Sequence, residues 1–314
     1  MCGIVGYIGN KEAFPILIDG LKKLEYRGYD PAGIALLNGK IEIYKKKGKV
    51  TELEDSVRSM NTSGSIGIGH TRWATHGEPS DENAHPQQSM EKIFSIVHNG
   101  IIENYIHLKS GLILQGYQFY SDTEVLANLI EYFYVQNDKI SAEIAVQLAL
   151  SKVDGAYGVA ILCSHEKDEL IIARNGNPLA VGLGDGEYFV ASDPSPIAEF
   201  TSHVVYLNDQ DMAILHKSRV TLKNLKNHPV SLTVSYLNIE TGGLDKGEFD
   251  HFILKEIIEQ PQTIEQTFKG RLKPEHPNIV LSGLMAVFPR IVLAPRIVIR
   301  CGKGISINFP GGVF

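Results

Sequence analysis

An α+β protein is expected, with its sheets in layers and its helices packed outside them. Three observations carry this. Strand-like runs fill much of the first hundred residues, three helical repeats lie between 103 and 151, and strand-like runs return from 156 to 216. An order of strands, helices and strands again buries its apolar faces when sheets stack and helices cover them. Residues 2–8 alternate around β-branched and glycine positions and read as a strand. Ala13, Ile16, Leu17, Gly20, Leu21 and Leu24 then recur at helical spacing. Short strands follow at 32–37, 41–45, 66–70 and 93–98. Helices are expected near 103–115, 123–134 and 141–151. The second of these carries Val125, Leu126, Leu129, Ile130 and Phe133 on one face, and a capping-box pattern from Ser121 to Glu124 opens it. Residues 158–163, 170–173, 188–191 and 204–207 read as further strands. The more polar stretch 217–247 is expected to form a peripheral hairpin and connector, and 249–261 a short helix that stops at Pro261. No acidic residue follows Glu275, and the strand-like runs of 276–314 have no evident partner.

Composition excludes several classes of function. With 314 residues, 43% of them hydrophobic and 21% charged, the chain can bury a sizeable core. Thirty basic residues against 36 acidic ones leave a formal charge of −6, so neither a nucleic acid nor a membrane surface is an expected partner. Cys2, Cys163 and Cys301 are too few and too scattered for a disulfide framework, which points to a reducing compartment. The N-terminus lacks a basic segment followed by a long apolar one, and no stretch is long enough to span a bilayer. A cytoplasmic location is expected.

Chemistry concentrates in five places. Cys2, once Met1 is removed, carries both a thiol and an α-amine, and an N-terminal nucleophile can use its own amine as base. Four polar clusters follow: Tyr26-Arg27-Gly28-Tyr29-Asp30-Pro31-Ala32-Gly33, His70-Thr71-Arg72-Trp73-Ala74-Thr75-His76-Gly77, Val97-His98-Asn99-Gly100-Ile101-Ile102-Glu103-Asn104, and Ser121-Asp122-Thr123-Glu124. Each follows a strand or opens a helix, where backbone donors and side chains converge on small ligands. Read singly, every one has an ordinary meaning. Cys2 is a buried cysteine, Asn99-Gly100 a turn, Asp122 a favourable charge at a helix N-terminus, and Arg72 a surface ion pair. His70, His76, His85 and His98 match no zinc spacing and read as hydrogen-bonded structural residues. Cys163 reads as core. Gly302-Lys303-Gly304 lacks the remainder of a phosphate loop.

Read together, they do not look ordinary. Behind an N-terminal Cys-Gly-Ile-Val-Gly, these clusters in this order resemble the class II glutamine amidotransferases, which are N-terminal-nucleophile hydrolases. The wording of 24–30, 70–79, 83–86 and 98–104, extended by Gly155-Ala-Tyr-Gly158 and Ala191-Ser-Asp-Pro194, is most similar to the glutaminase half of the glutamine–fructose-6-phosphate aminotransferase (glucosamine-6-phosphate synthase) family. The amidophosphoribosyl and asparagine types share Cys2 and the Asn-Gly element but not that wording.

The resemblance implies a four-layer αββα N-terminal-nucleophile hydrolase fold over residues 2–240, a hinge over 241–275, and at 276–314 an incomplete, poorly ordered remnant of a sugar-isomerase domain. It implies Cys2 as nucleophile, with the Asn99 side chain and the Gly100 N–H holding the oxyanion. Arg72 would bind the carboxylate of L-glutamine and Asp122 its ammonium group. Trp73, Thr75 and His76 would complete the pocket, and Arg27 and Gly28 would position the nucleophile loop. No cofactor or metal is called for. Fructose 6-phosphate would enter only through a missing or separate isomerase half, so the chain is expected to show glutaminase activity alone. The alternative is a glutaminase-only or regulatory subunit, the product of a truncated gene, that associates with a full-length synthase.

Overall fold

A computed structural model of the chain describes residues 2–25, 30–72, 80–81, 83–119, 124–137 and 140–237. It also describes 249, 251, 254–255, 257–261 and 264, and the backbone of 296–300 and 306–310. The first of two units spans Met1–Asp245. Its elements begin with β1 (Gly3–Ile8), α1 (Ala13–Leu24), β2 (Ala32–Asn38), β3 (Lys40–Lys46), α2 (Val50–Ser56) and β4 (Ile66–Thr71). Then come β5 (Gln87–Gln88), β6 (Phe94–Ile102), α3 (Tyr105–Leu114), α4 (Glu124–Gln136) and α5 (Ala142–Leu150). The last strands are β7 (Gly155–Cys163), β8 (Leu170–Asn175), β9 (Ala180–Leu183), β10 (Tyr188–Ala191), β11 (His203–Tyr206), β12 (Asp211–His216), β13 (Arg219–Asn224) and β14 (Val234–Tyr236).

The strands form two antiparallel sheets. One has the order β14-β11-β9-β10-β1-β4-β2-β3, the other β13-β12-β8-β7-β6-β5. Because side chains alternate across a strand, each sheet presents two apolar faces. Ile4 and Ile8 of β1 and Ile66 and Ile68 of β4 meet Val97 of β6, Ala160 and Leu162 of β7 and Ile172 of β8 between the sheets. Val5 and Tyr7 on the other face of β1 pack on Leu17, Leu21 and Leu24 of α1, with Leu53 of α2. Phe94 and Ile96 of β6 pack on Val125 and Leu129 of α4 and Val146 of α5. The result is four layers, helix–sheet–sheet–helix, as expected. Both faces of β1 and β4 are covered, so every residue of the two strands is buried.

Some elements differ from expectation. Helix α2 was not anticipated, since it buries only Val50 and Leu53, too few to give a period. Its first N–H is held by a distant partner, Val50 N donating to Glu25 Oε1 at 2.9 Å. The expected hairpin within 217–247 forms over 222–230, where Lys223 bridges Pro229, Asn224 N donates to His228 O and Val230 N donates to Leu222 O, while the longer strands of the stretch part. β13 pairs with β12 at the edge of the six-stranded sheet, whereas β14 pairs with β11 at the edge of the other. Among the described residues no helix is long and apolar enough to cross a membrane.

The second unit spans Lys246–Phe314. Residues 254–255, 257–261 and 264 are helical, so helical conformation does not stop at Pro261. Proline holds φ near a helical value and can itself be helical. β15 (Arg296–Arg300) pairs antiparallel with β16 (Ser306–Pro310), giving the strand-like run at 296–300 the partner it lacked on paper. The rest of 276–314 and most of the expected hinge lie outside the described residues, as does the capping-box serine Ser121.

Candidate active site

The site forms where one end of β1 meets the far end of β6. Cys2 is half-buried and immediately precedes β1, which runs between β10 and β4 in the middle of its sheet. Gly3 follows it for a steric reason: a Cβ there would lie 2.8 Å from both Leu24 Cβ and Thr71 Oγ1. Ser192 fixes the start of the strand from the β10 side. Ile4 N donates to Ser192 Oγ at 3.0 Å, and Ser192 N donates to Ile4 O at 3.0 Å. On the β4 side Gly3 pairs with Thr71 and Ile4 with His70, so Arg72 leaves the sheet at the same end as Cys2. Its backbone N–H donates to Pro31 O at 2.9 Å.

Asn99 and Gly100 come from the opposite sheet, on β6, paired with Gly158 and Tyr157 of β7. The Asn99 side chain bridges the two sheets. Its Nδ2 donates to the Cys2 carbonyl at 3.1 Å, and its Oδ1 lies 2.9 Å from His70 Nε2. Its backbone carbonyl accepts from Asn177 Nδ2 at 3.0 Å. Gly100 holds φ at +131°, and a Cβ there would stand 2.0 Å from Ala156 O, so only glycine fits.

Three histidines lie behind Asn99. The rings of His70 and His85 are 4.5 Å apart, and those of His85 and His98 are 6.4 Å apart and near-parallel. His85 Nδ1 accepts from the His98 N–H at 3.2 Å. Burial is the dominant influence on all three and disfavours the charged ring. It pushes His70 down to about 3 and His98 down to about 4, and it drives His85 well below its ordinary value. The positive charge of Arg72 adds to the effect at His70 and His85. Burial favours the neutral form of all three rings, and the Arg72 guanidinium is a positive charge near His70 and His85.

Cys2, Asn99, Gly100 and Arg72 therefore come together from the list that the sequence suggested. Arg27, Gly28, Trp73, Thr75, His76 and Asp122 lie outside the described residues. Two contributors went unread. Asn177 follows the β8 strand in an ordinary-looking Asn-Gly-Asn turn, and the contact of His70 with Asn99 crosses 29 positions and two sheets. Cys163 is buried core, its thiol pushed up to about 11 mainly by desolvation.

Comparison with known proteins gives this geometry a class. Residues 70–199 match the family model described as a glutamine amidotransferase domain. A solved structure of glutamine phosphoribosylpyrophosphate amidotransferase from B. subtilis, complexed with ADP and GMP, superposes with a TM-score of 0.63. It is 30% identical over 73% of this chain and 50% of its own. The chain therefore carries a class II glutamine amidotransferase domain with the N-terminal-nucleophile fold. Two curated relatives define it more narrowly. The isomerizing glutamine–fructose-6-phosphate aminotransferase of Chlorobaculum tepidum is 46% identical over 311 residues, 98% of this chain and 50% of that protein. That of Bacteroides thetaiotaomicron is 49% identical over 308 residues, 96% of this chain and again 50% of the relative. The chain is similar to these glutamine–fructose-6-phosphate aminotransferases and spans about half the length of these relatives.

Proposed function

We propose that this chain releases ammonia from L-glutamine, with Cys2 as the nucleophile after removal of Met1. The observation that carries the reading is the Asn99 amide, reaching across from the second sheet to within 3.1 Å of the Cys2 carbonyl and followed by a glycine at φ +131°. Cys2 Sγ adds to the side-chain amide carbon of glutamine while its proton passes to the Cys2 α-amine, which titrates at roughly pH 8. Charge then gathers on the former carbonyl oxygen. Asn99 Nδ2 carries two hydrogens, one taken by the Cys2 carbonyl and one aimed at that oxygen, with the Gly100 N–H as second donor. One such donor lowers the barrier by roughly 3–4 kcal/mol. The tetrahedral adduct collapses by breaking the C–N bond, the ammonium form of the α-amine protonates the departing ammonia, and a thioester is left. Water hydrolyses the thioester to glutamate and restores the thiol.

Arg72 would pair with the substrate carboxylate, for which its planar fork is suited. Asp122, Trp73, Thr75 and His76 would complete the pocket, and Arg27 and Gly28 would hold the nucleophile loop. Fructose 6-phosphate as the eventual acceptor, through an isomerase half, belongs to the same proposal, since the relatives are named for that sugar. So do association with a full-length synthase and a cytoplasmic location. The test pairs intact-mass measurement of the N-terminus with an ammonia-release assay. Protein lacking Met1 should hydrolyse glutamine, and Cys2→Ala should reduce release to background. Ammonia release at the unsubstituted rate from Cys2→Ala would overturn the assignment.

A further inference from the structure

The Asn99 amide must be held the right way round. Its oxygen and its NH2 group have nearly the same shape, yet only the NH2 end can donate to a developing oxyanion. Two neighbours read the two ends. The Cys2 carbonyl, 3.1 Å from Nδ2, can only accept. The other end faces His70 Nε2 at 2.9 Å, and that contact is stable only if Nε2 carries the proton, because Oδ1 can only accept. The opposite tautomer would set a lone pair against a lone pair, and turning the amide to relieve this would point Oδ1 at the Cys2 carbonyl.

The surroundings of His70 favour that tautomer. The ring is 1% exposed, inside a wall formed by the His85 and His98 rings. A neutral imidazole has one N–H to give. Among the described residues His70 Nδ1 has no hydrogen bond of ordinary length and angle, and although the His98 backbone also acts on the ring, Asn99 Oδ1 at 2.9 Å is the better-placed acceptor, so the proton is best placed on Nε2. A positive ring here would face the Arg72 charge without any buried carboxylate beside it among the described residues.

We propose that His70 is a positioning residue for glutamine hydrolysis: as the Nε2–H tautomer it orients the Asn99 amide so that Nδ2 faces Cys2 and the substrate oxygen. In this role His70 acts through Asn99. The inference rests on the glutaminase reading above, and it separates His70 from the other two rings. The His85 ring packs against His70 and the His98 ring against His85, and among the described residues neither is shown hydrogen-bonded to the Asn99 amide.

The test is a double-mutant cycle in the full chain with processed N-terminus, His70→Phe and His70→Gln each made alone and in an Asn99→Ala background. Removing an oxyanion donor outright typically costs on the order of 100- to 1000-fold in kcat. His70→Phe leaves the donor present but unoriented, so kcat should fall about 10- to 100-fold with KM for glutamine changed less than about twofold. His70→Gln, whose NH2 can replace the Nε2–H, should recover most of that loss. In the Asn99→Ala background His70→Phe should cost less than about twofold. An equal loss in both backgrounds, or a His70→Phe enzyme with unchanged kcat, would overturn the proposal. Nitrogen-15 spectra of the imidazoles supply a readout independent of turnover and of whether His70→Phe folds. His70 should show a protonated Nε2 and a bare Nδ1, and the reverse tautomer would overturn the proposal even in a fully active enzyme. Absence of ammonia release from the unsubstituted, processed chain would instead refute the glutaminase reading, and the spectra would still decide how the amide is held.

Discussion

At the scale of single residues, the site depends on positions where no second choice of side chain fits. Gly100 is the sharpest. Any Cβ would sit 2.0 Å from Ala156 O and 2.5 Å from Asn177 Nδ2, at a φ of +131° that L side chains rarely take. Gly100→Ala must therefore move either β6 or the Asn99–Asn177 contact. Backbone strain of this kind costs roughly 1–3 kcal/mol, which a core of this size can absorb, so the protein should still fold. Catalysis has less tolerance, because an oxyanion donor displaced by even part of an ångström is no longer aligned. The expected outcome is a folded Gly100→Ala protein with ammonia release down on the order of 100-fold. Retention of near-normal kcat would mean that the Gly100 N–H takes no part.

At the scale of elements, β1 is the mount for Cys2, the proposed nucleophile, and its fixing is testable. The Ile4 N–H is buried against Ser192 Oγ at 3.0 Å, and Ser192→Ala would strand that donor. An unsatisfied buried group costs about 1–3 kcal/mol, and about 2–4 °C of Tm goes with each kcal/mol in a domain of 150–250 residues. Ser192→Ala should thus melt several degrees lower, read by calorimetry, while Ser192→Thr should recover part of the loss. Elements whose pattern is local were legible before the structure: β1, α1, α4 and the β6–β7 strands follow from apolar spacing alone. What could not be read depends on distant partners. Helix α2 is capped by Glu25, 25 positions away, β13 and β14 part to separate sheets, and His70 meets Asn99 only because the two sheets stack. The candidate site was legible through the wording of Cys2 and Arg72, which flank strand ends, and of Asn99-Gly100 within β6. The second layer behind it was not, since a histidine in a strand gives no sign of which ring nitrogen faces what.

At the scale of the whole molecule, the buried titratable groups set how stability follows pH, and they pull in opposite directions. His70, His85 and His98 stay neutral in the folded state, with His70 down to about 3 and His98 down to about 4. In the unfolded chain they take up protons below roughly pH 6.5. As the pH falls from there toward 4 the unfolded state gains protons that the folded state refuses, so stability is lost, at roughly 1 kcal/mol per pH unit for each ring. Glu169 has the opposite sign. Burial, with the nearby charges of Glu166 and Glu143, raises it to about 7, against which Lys223 and Arg219 work. Its contribution is complete below its ordinary carboxylate value and is lost as the pH rises through 7. Glu131, also raised chiefly by burial, acts in the same direction. Between pH 4.5 and 6.5 three rings oppose Glu169, with Glu131 working in the same direction as Glu169, so stability should rise with pH. Below 4.5 the carboxyls are protonated in both states and the histidines act alone, so the acid limb should steepen. Above 6.5 only the carboxyl effect survives, and the curve should bend gently down. Urea unfolding at intervals from pH 4 to 8 reads the whole curve. His98→Phe should flatten the acid limb by about a third, and Glu169→Gln should remove most of the alkaline decline. An acid limb unchanged in His98→Phe would mean that His98 is protonated in the folded protein, with its ring charge balanced by a neighbour.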